Sequence, residues 1–191
     1  MVKITQMYKA TAYQEINAPA EKVWAVIDDF GNMADFHPFL KSSLVINDLE
    51  KGMGARRSCT FYGGNSLNET LIRYEPGKGY SVSLEDFSVP WEKSCAHMDV
   101  VPISESKSLV SFSIEFVPKF GEFGSVMGLI MMEPLTKWWV HQVLKGLDTH
   151  VTTGKIVGED SFLLQVFLWG FLFYWLPDFT KQSSGQKPIV N

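Results

Sequence analysis

Between Ser43 and Phe116 the chain is cut into short apolar-alternating segments by turn residues, and this constrains the fold more than any other feature. Lys51-Gly52-Met53-Gly54, Gly63-Gly64 and Glu75-Pro76-Gly77-Lys78-Gly79 are turn signals. They separate strands read as Leu44–Leu49, Ala55–Tyr62, Asn65–Tyr74 and Tyr80–Phe87. Ser94–Val101 and Leu109–Phe116 complete the set. Six consecutive strands joined by short turns predict an antiparallel meander. Tyr8–Ile16 reads as one more strand. Pro19 then opens a helix over Ala20–Phe30, where Val23, Trp24, Ile27 and Phe30 share a face. Gly31 stops it, and Asn32–Leu40, interrupted by Pro38, holds a short second helix or turn.

After Pro118 the period changes. Phe123–Met132 is apolar and Met-rich. It reads either as ordinary core or as a deformable gate containing Met127 and Met131. Leu135, Trp139, Val143, Leu147 and Val151 then repeat every four residues, which predicts one long helix with a core-facing stripe. Trp138 falls off that stripe and is expected at a rim or in solvent, as is Trp91 in a turn after Pro90. The whole predicts an α+β fold: a curved antiparallel sheet wrapped around a long C-terminal helix, with a cavity between them. Residues 1–158 would form this domain and 159–191 a separate hydrophobic tail.

Side-chain alternation selects the inward face. Tyr80, Val82 and Leu84 share it, as do Ala96, Met98 and Val100, and Val110, Phe112, Ile114 and Phe116. In the earlier strands the apolar parity of Ala55, Cys59 and Phe61 takes Arg57 inward, and that of Leu67 and Leu71 takes Glu69 inward. Two charges on an apolar face must pair, because an unpaired buried charge is costly. An odd loop at Tyr62-Gly63-Gly64 sets Arg57 opposite or one step from Glu69. The pair is either an architectural tie or the partner of a ligand's polar head. The expected binding face is therefore Arg57, Cys59, Glu69, Leu71, Tyr80, Val82, Met98, Phe112 and Ile114 from the sheet. Met127, Met131, Trp139 and Val143 would face it.

Other chemistry is sparse. Cys95, His97 and Asp99 have the outward parity. His37, beside Pro38, reads as a turn residue near the mouth. His141 and His150 lack the four-residue step of a helical metal pair, and no HExxH, GxSxG, Walker or GxGxxG pattern occurs. The expectation is no metal, no cofactor and no dedicated catalytic set. A net charge of −4 argues against a generally basic nucleic-acid binder. Two cysteines cannot build a disulfide framework, and no apolar leader opens the chain, so a cytoplasmic setting is expected.

The segments INAPAEKVWAVIDDFGNMADFHPFL, GMGARRSCTFYGGNSLNETLIRYEP, SVPWEKSCAHMDVVP and VLKGLDTHVTTG resemble, in order, the motifs of the polyketide cyclase/dehydratase and lipid-transport superfamily, the START-like or SRPBCC proteins. The resemblance spans about residues 8–154. It implies the helix-grip fold and an apolar pocket for lipids, sterols, quinones or polyketides. A minority of similar proteins are enzymes, and for this chain that reading would use Glu69, Arg57 and Tyr80. Arg57 and Glu69 also fall where the family commonly has an Arg and a Glu.

The tail lies outside the resemblance. Ser161–Pro177 carries no charge over 17 residues, and ten of the 15 residues Phe162–Leu176 are Phe, Leu or Val. No polar residue repeats every turn, so this is not a surface amphipathic helix. Its length as a helix, about 25 Å, is short against a hydrocarbon core of about 30 Å. Phe162, Leu164, Phe167, Trp169, Phe171 and Trp175 are the residues expected to meet lipid, with the Trp side chains favouring the headgroup level. The expectation is a protein peripheral to, or tail-anchored in, a membrane. The tail folded onto its own pocket, a homodimer interface and the docking of a partner enzyme are the competing outlets.

Overall fold

The computed structural model describes residues 7–86, 91–118 and 133–158. Strand β1 (Tyr8–Ile16) leads into helix α1 (Ala20–Ile27) and a 3-10 segment, Phe30–Asp35. Six strands follow: β2 (Leu40–Val45), β3 (Arg56–Phe61), β4 (Ser66–Glu75), β5 (Gly79–Glu85), β6 (Trp91–Ser104) and β7 (Lys107–Pro118). Helix α2 spans Glu133–Thr153. The strands form one antiparallel sheet in the order β1-β7-β6-β5-β4-β3-β2. All pairs but one join neighbours in sequence, so short turns suffice. The exception is β1, which returns to β7 with Tyr8 opposite Phe116 and Ile16 opposite Ser108.

Register aligns the inward residues into rows across the sheet. Tyr74, Tyr80, Met98, Phe112 and Ala12 form one row. Leu71, Val82, Ala96, Ile114 and Ala10 form the next. Nearly all are buried in a continuous apolar core. Helix α2 closes this face, packing chiefly on β1 and then on β7.

Some elements differ from the sequence reading. Strand β2 ends at Val45 rather than running to Leu49. The cause is a local turn: the Asn47 side chain donates to the Gly54 carbonyl at 2.9 Å and accepts from the Arg56 amide at 3.0 Å. This leaves Ile46 and Leu49, beyond the strand end, exposed. Helix α1 ends at Ile27, with the Asp28 amide bonded to the Trp24 carbonyl. Trp91 belongs to β6, not to a turn, and stacks on Phe116 with centroids 4.9 Å apart.

The buried face of α2 is also rotated from the expected stripe. Thr136, Val140, Val143, Leu144, Gly146, Leu147 and Val151 are buried, whereas Leu135 and Trp139 are half-buried. Gly146 explains the rotation. A Cβ there would stand 2.1 Å from the Phe36 carbonyl oxygen, so the helix lies directly against the chain that follows the 3-10 segment. The hydrophobic tail lies outside the described residues. Among the described residues, no helix is long and apolar enough to cross a membrane.

Candidate functional site

The odd hairpin loop places Arg57 of β3 directly opposite Glu69 of β4. Both side chains are buried, Arg57 to 1% exposure. Arg57 Nε and Nη2 both meet Glu69 Oε2, and Nη1 donates to the Phe30 carbonyl at 2.8 Å. The guanidinium also lies over the Phe30 ring, 4.1 Å from its centroid. Burial alone would lower the Arg57 pKa. The Glu69 charge, with smaller help from Tyr80 and Cys59, outweighs burial and holds the pKa above its ordinary value. The guanidinium is therefore held charged, with Nε, Nη1 and Nη2 all engaged. The neighbouring Cys59 thiol is pushed up to about 12, mainly by burial and then by Glu69. It is an inert thiol, not a nucleophile.

Tyr80 of β5 shares this neighbourhood. Its ring meets Phe30 edge-on at 6.1 Å, and it is wholly buried. Its hydroxyl makes no hydrogen bond of ordinary geometry among the described residues. Burial raises its pKa, against the pull of the Arg57 guanidinium. A phenol in this setting is neutral and able to donate.

His37 is the main departure from the sequence reading. It is not a rim residue but is buried at 1% exposure. It is boxed by Trp139, Phe39 and Phe61, with ring centroids at 4.9, 5.7 and 6.3 Å. Trp139 also stacks on Phe39 at 5.5 Å and tilts toward Phe112 at 6.5 Å. Burial, and then the Arg57 charge, lower the His37 pKa to about 3, so the ring is neutral at pH 7. Its Nδ1 accepts the Phe39 amide at 3.3 Å. The proton of the neutral ring is thereby assigned to Nε2, which is buried without a partner among the described residues. The only sequence signal for this placement was Gly146, which lets α2 press the His37 segment inward.

Of the other expected site residues, Leu71, Val82, Met98, Ile114 and Val143 are buried in the core, and Phe112 lies beside Trp139. Trp138 is half-buried, tilted against Phe39 at 6.0 Å. Met127, Met131 and all the tail residues expected at lipid lie outside the described residues. A separate surface depression of about 130 Å³ lies between α1 and the end of α2, lined by Ala25, Val26, Asp29, Asn32, Asp35 and His150. Its volume is below the roughly 300 Å³ at which ligand pockets begin.

The fold has many solved counterparts. The aromatase/cyclase Zhui from Streptomyces sp. R1128 superimposes with a TM-score of 0.64 at 15% identity, covering 77% of this chain and 94% of that one. Norcoclaurine synthase from Thalictrum flavum gives 0.60 at 19% identity, covering 78% and 96%. An uncharacterised protein from Bacillus thuringiensis gives 0.63 at 20% identity, covering 76% and 99%. No curated protein matches the sequence significantly. The sequence model described as polyketide cyclase / dehydrase and lipid transport matches residues 7–152, which is most of the chain and all of the sheet and nearly all of α2, and this protein belongs to that family.

Proposed function

We propose that this protein binds an apolar small molecule bearing a carbonyl or similar acceptor oxygen, held between α2 and the concave face of the sheet. One observation carries the reading. Two donors, His37 Nε2–H and the Tyr80 O–H, are buried among aromatic and aliphatic side chains with no acceptor of ordinary geometry among the described residues, the Arg57 guanidinium beside Tyr80 being itself a donor. Each such group costs about 1–3 kcal/mol unless something bonds it. Both are donors in their neutral forms, so a guest that supplies acceptors removes the cost. A quinone or a polyketide-like molecule does this, whereas a plain hydrocarbon chain does not.

The apolar tail supports delivery from a bilayer. Ligand in water is costly by about 25 cal/mol per Å² of apolar surface, so exchange is easiest where pocket and lipid adjoin.

A second reading is catalytic and rests on Tyr80. Its neutral hydroxyl could protonate a developing enolate on a bound polyketide, with the Arg57–Glu69 pair fixing the charge nearby. Two Arg57 nitrogens hold Glu69 Oε2, which argues against Glu69 as the base. Two structural neighbours support aromatic guests: one is an aromatase/cyclase, and norcoclaurine synthase was solved with dopamine and hydroxybenzaldehyde.

Native mass spectrometry of the gently purified chain, followed by titration of a naphthoquinone against Trp fluorescence, tests both readings. Binding should quench the fluorescence, and Tyr80→Phe should weaken binding by about tenfold, the equivalent of roughly 1.4 kcal/mol. Turnover lost in Tyr80→Phe with binding intact would establish the catalytic reading instead. Neither a copurifying apolar molecule nor quenching would end the ligand-binding proposal.

A further inference from the structure

The outer face of the sheet holds a cluster unconnected with the interior. Cys95 and His97 are two residues apart on β6, so both project outward. Glu115 is the direct cross-strand partner of Cys95 on β7. Cys95 Sγ and His97 Nε2 are 3.4 Å apart, His97 Nε2 and Glu115 Oε2 3.7 Å, and Cys95 Sγ and Glu115 Oε2 3.9 Å. We infer that Cys95, His97 and Glu115 form a binding site for a divalent transition-metal ion, zinc above all.

The spacing supports an ion at the centre. Tetrahedral zinc, with bonds of about 2.3 Å to sulfur and about 2.0–2.1 Å to nitrogen and oxygen, sets its ligand atoms roughly 3.3–3.6 Å apart. The observed triangle is within a few tenths of an ångström of that size. The two sulfur edges are weak thiol hydrogen bonds and the 3.7 Å His97–Glu115 edge is beyond hydrogen-bond reach, so the three groups are held loosely around a point that an ion can take.

The orientation excludes a nucleophile arrangement. In a thiol–imidazole–carboxylate triad the carboxylate holds the far nitrogen of the ring. Here thiol and carboxylate both meet Nε2, and Nδ1 is taken by Ser81 Oγ at 2.7 Å. Ser81 is buried, and its oxygen also accepts Arg73 Nε at 2.9 Å. With two lone pairs it can accept the Nδ1–H as well, which fixes the ring with Nε2 open to a metal. Lys9 Nζ is bonded to Glu115 Oε1 at 2.9 Å and leaves Oε2 facing the cluster. Its positive charge is the opposing term, and the thiolate and carboxylate together match a dication. The fourth position faces solvent, since the His97 and Glu115 side chains are about a quarter exposed. Binding forms the metal–sulfur bond as the Cys95 thiol gives its proton to solvent. A mixed sulfur, nitrogen and oxygen set of this kind selects a borderline ion over magnesium or calcium.

The untagged, chelator-stripped full chain titrated with Co²⁺ tests this directly. One equivalent should produce a thiolate-to-cobalt charge-transfer band with tetrahedral d–d absorption, which Zn²⁺ then displaces. Cys95→Ser should abolish the charge-transfer band. His97→Ala and Glu115→Gln should each weaken Zn²⁺ at least tenfold in competition with a chromogenic chelator, and Ser81→Ala about tenfold. Circular dichroism confirms that each variant is folded, and any one of the ligand variants suffices. Absence of the band in the wild type, or its persistence in Cys95→Ser, overturns the site.

Discussion

The Phe36 carbonyl oxygen sits 2.1 Å from where a Cβ would stand on Gly146, so α2 and the chain leading into His37 meet backbone to backbone. Gly146→Ala should therefore destabilise the protein, although Ala is the better helix former by about 1 kcal/mol. The clash is with backbone and cannot be relieved by a rotamer change. A net loss of about 1–3 kcal/mol is expected, as for other overpacked sites. Urea unfolding reads it out, and an unchanged or raised midpoint would show that the two segments separate easily.

The Arg57–Glu69 pair predicts an asymmetric cycle. Glu69→Gln leaves a buried guanidinium without its counter-charge and should cost about 3–5 kcal/mol. The double variant Arg57→Met/Glu69→Leu removes both charges and should recover most of that loss. Equilibrium unfolding of the single and double variants gives the coupling. Additive losses would mean that the ion pair is not what ties β3 to β4 here.

His37 gives the stability a pH dependence of known sign. Its folded pKa is depressed to about 3 from 6.5, so between these values the unfolded chain binds a proton that the folded chain does not. Stability from this group is complete above about pH 6.5 and is lost as pH falls toward 3. The slope is at most about 1.4 kcal/mol per pH unit. His37→Phe should remove it, so the wild type should lose about 2–3 kcal/mol relative to the variant between pH 7 and 4. Parallel stability profiles would place His37 in contact with water.

Truncation before Asp160 tests the tail. The shortened chain should keep the circular dichroism and cooperative unfolding of the domain, since the described sheet and α2 end before that point. It should also lose flotation with liposomes, which the full chain should show. Equal flotation of both chains would remove the proposed role of residues 162–176.

Local pattern was enough to assign faces. A strand alternates with period two, so the apolar parity of Ala55, Cys59 and Phe61 is bound to carry Arg57 inward, and that of Leu67 and Leu71 to carry Glu69. The odd loop at residues 62–64 then allows the two to meet. The same logic orders the rows from Tyr74 to Ala12 and from Leu71 to Ala10 once the strands are paired. The faces of β3 to β7 and the presence of one long closing helix were thus legible. The end of β2 was not, because the Asn47 turn depends on side-chain bonds to Gly54 and Arg56 that no propensity expresses.

What the sequence determined by itself is therefore the sidedness of each strand and the forced meeting of two buried charges. Tertiary structure alone decided that His37 is interior, that α2 turns its Gly146 side to Phe36, and that Cys95, His97 and Glu115 gather on the outer face. The physical reason is range. Parity is a property of neighbouring residues on one strand, whereas these placements depend on which strands pair and how closely a helix can approach, and those follow from packing the whole chain at once.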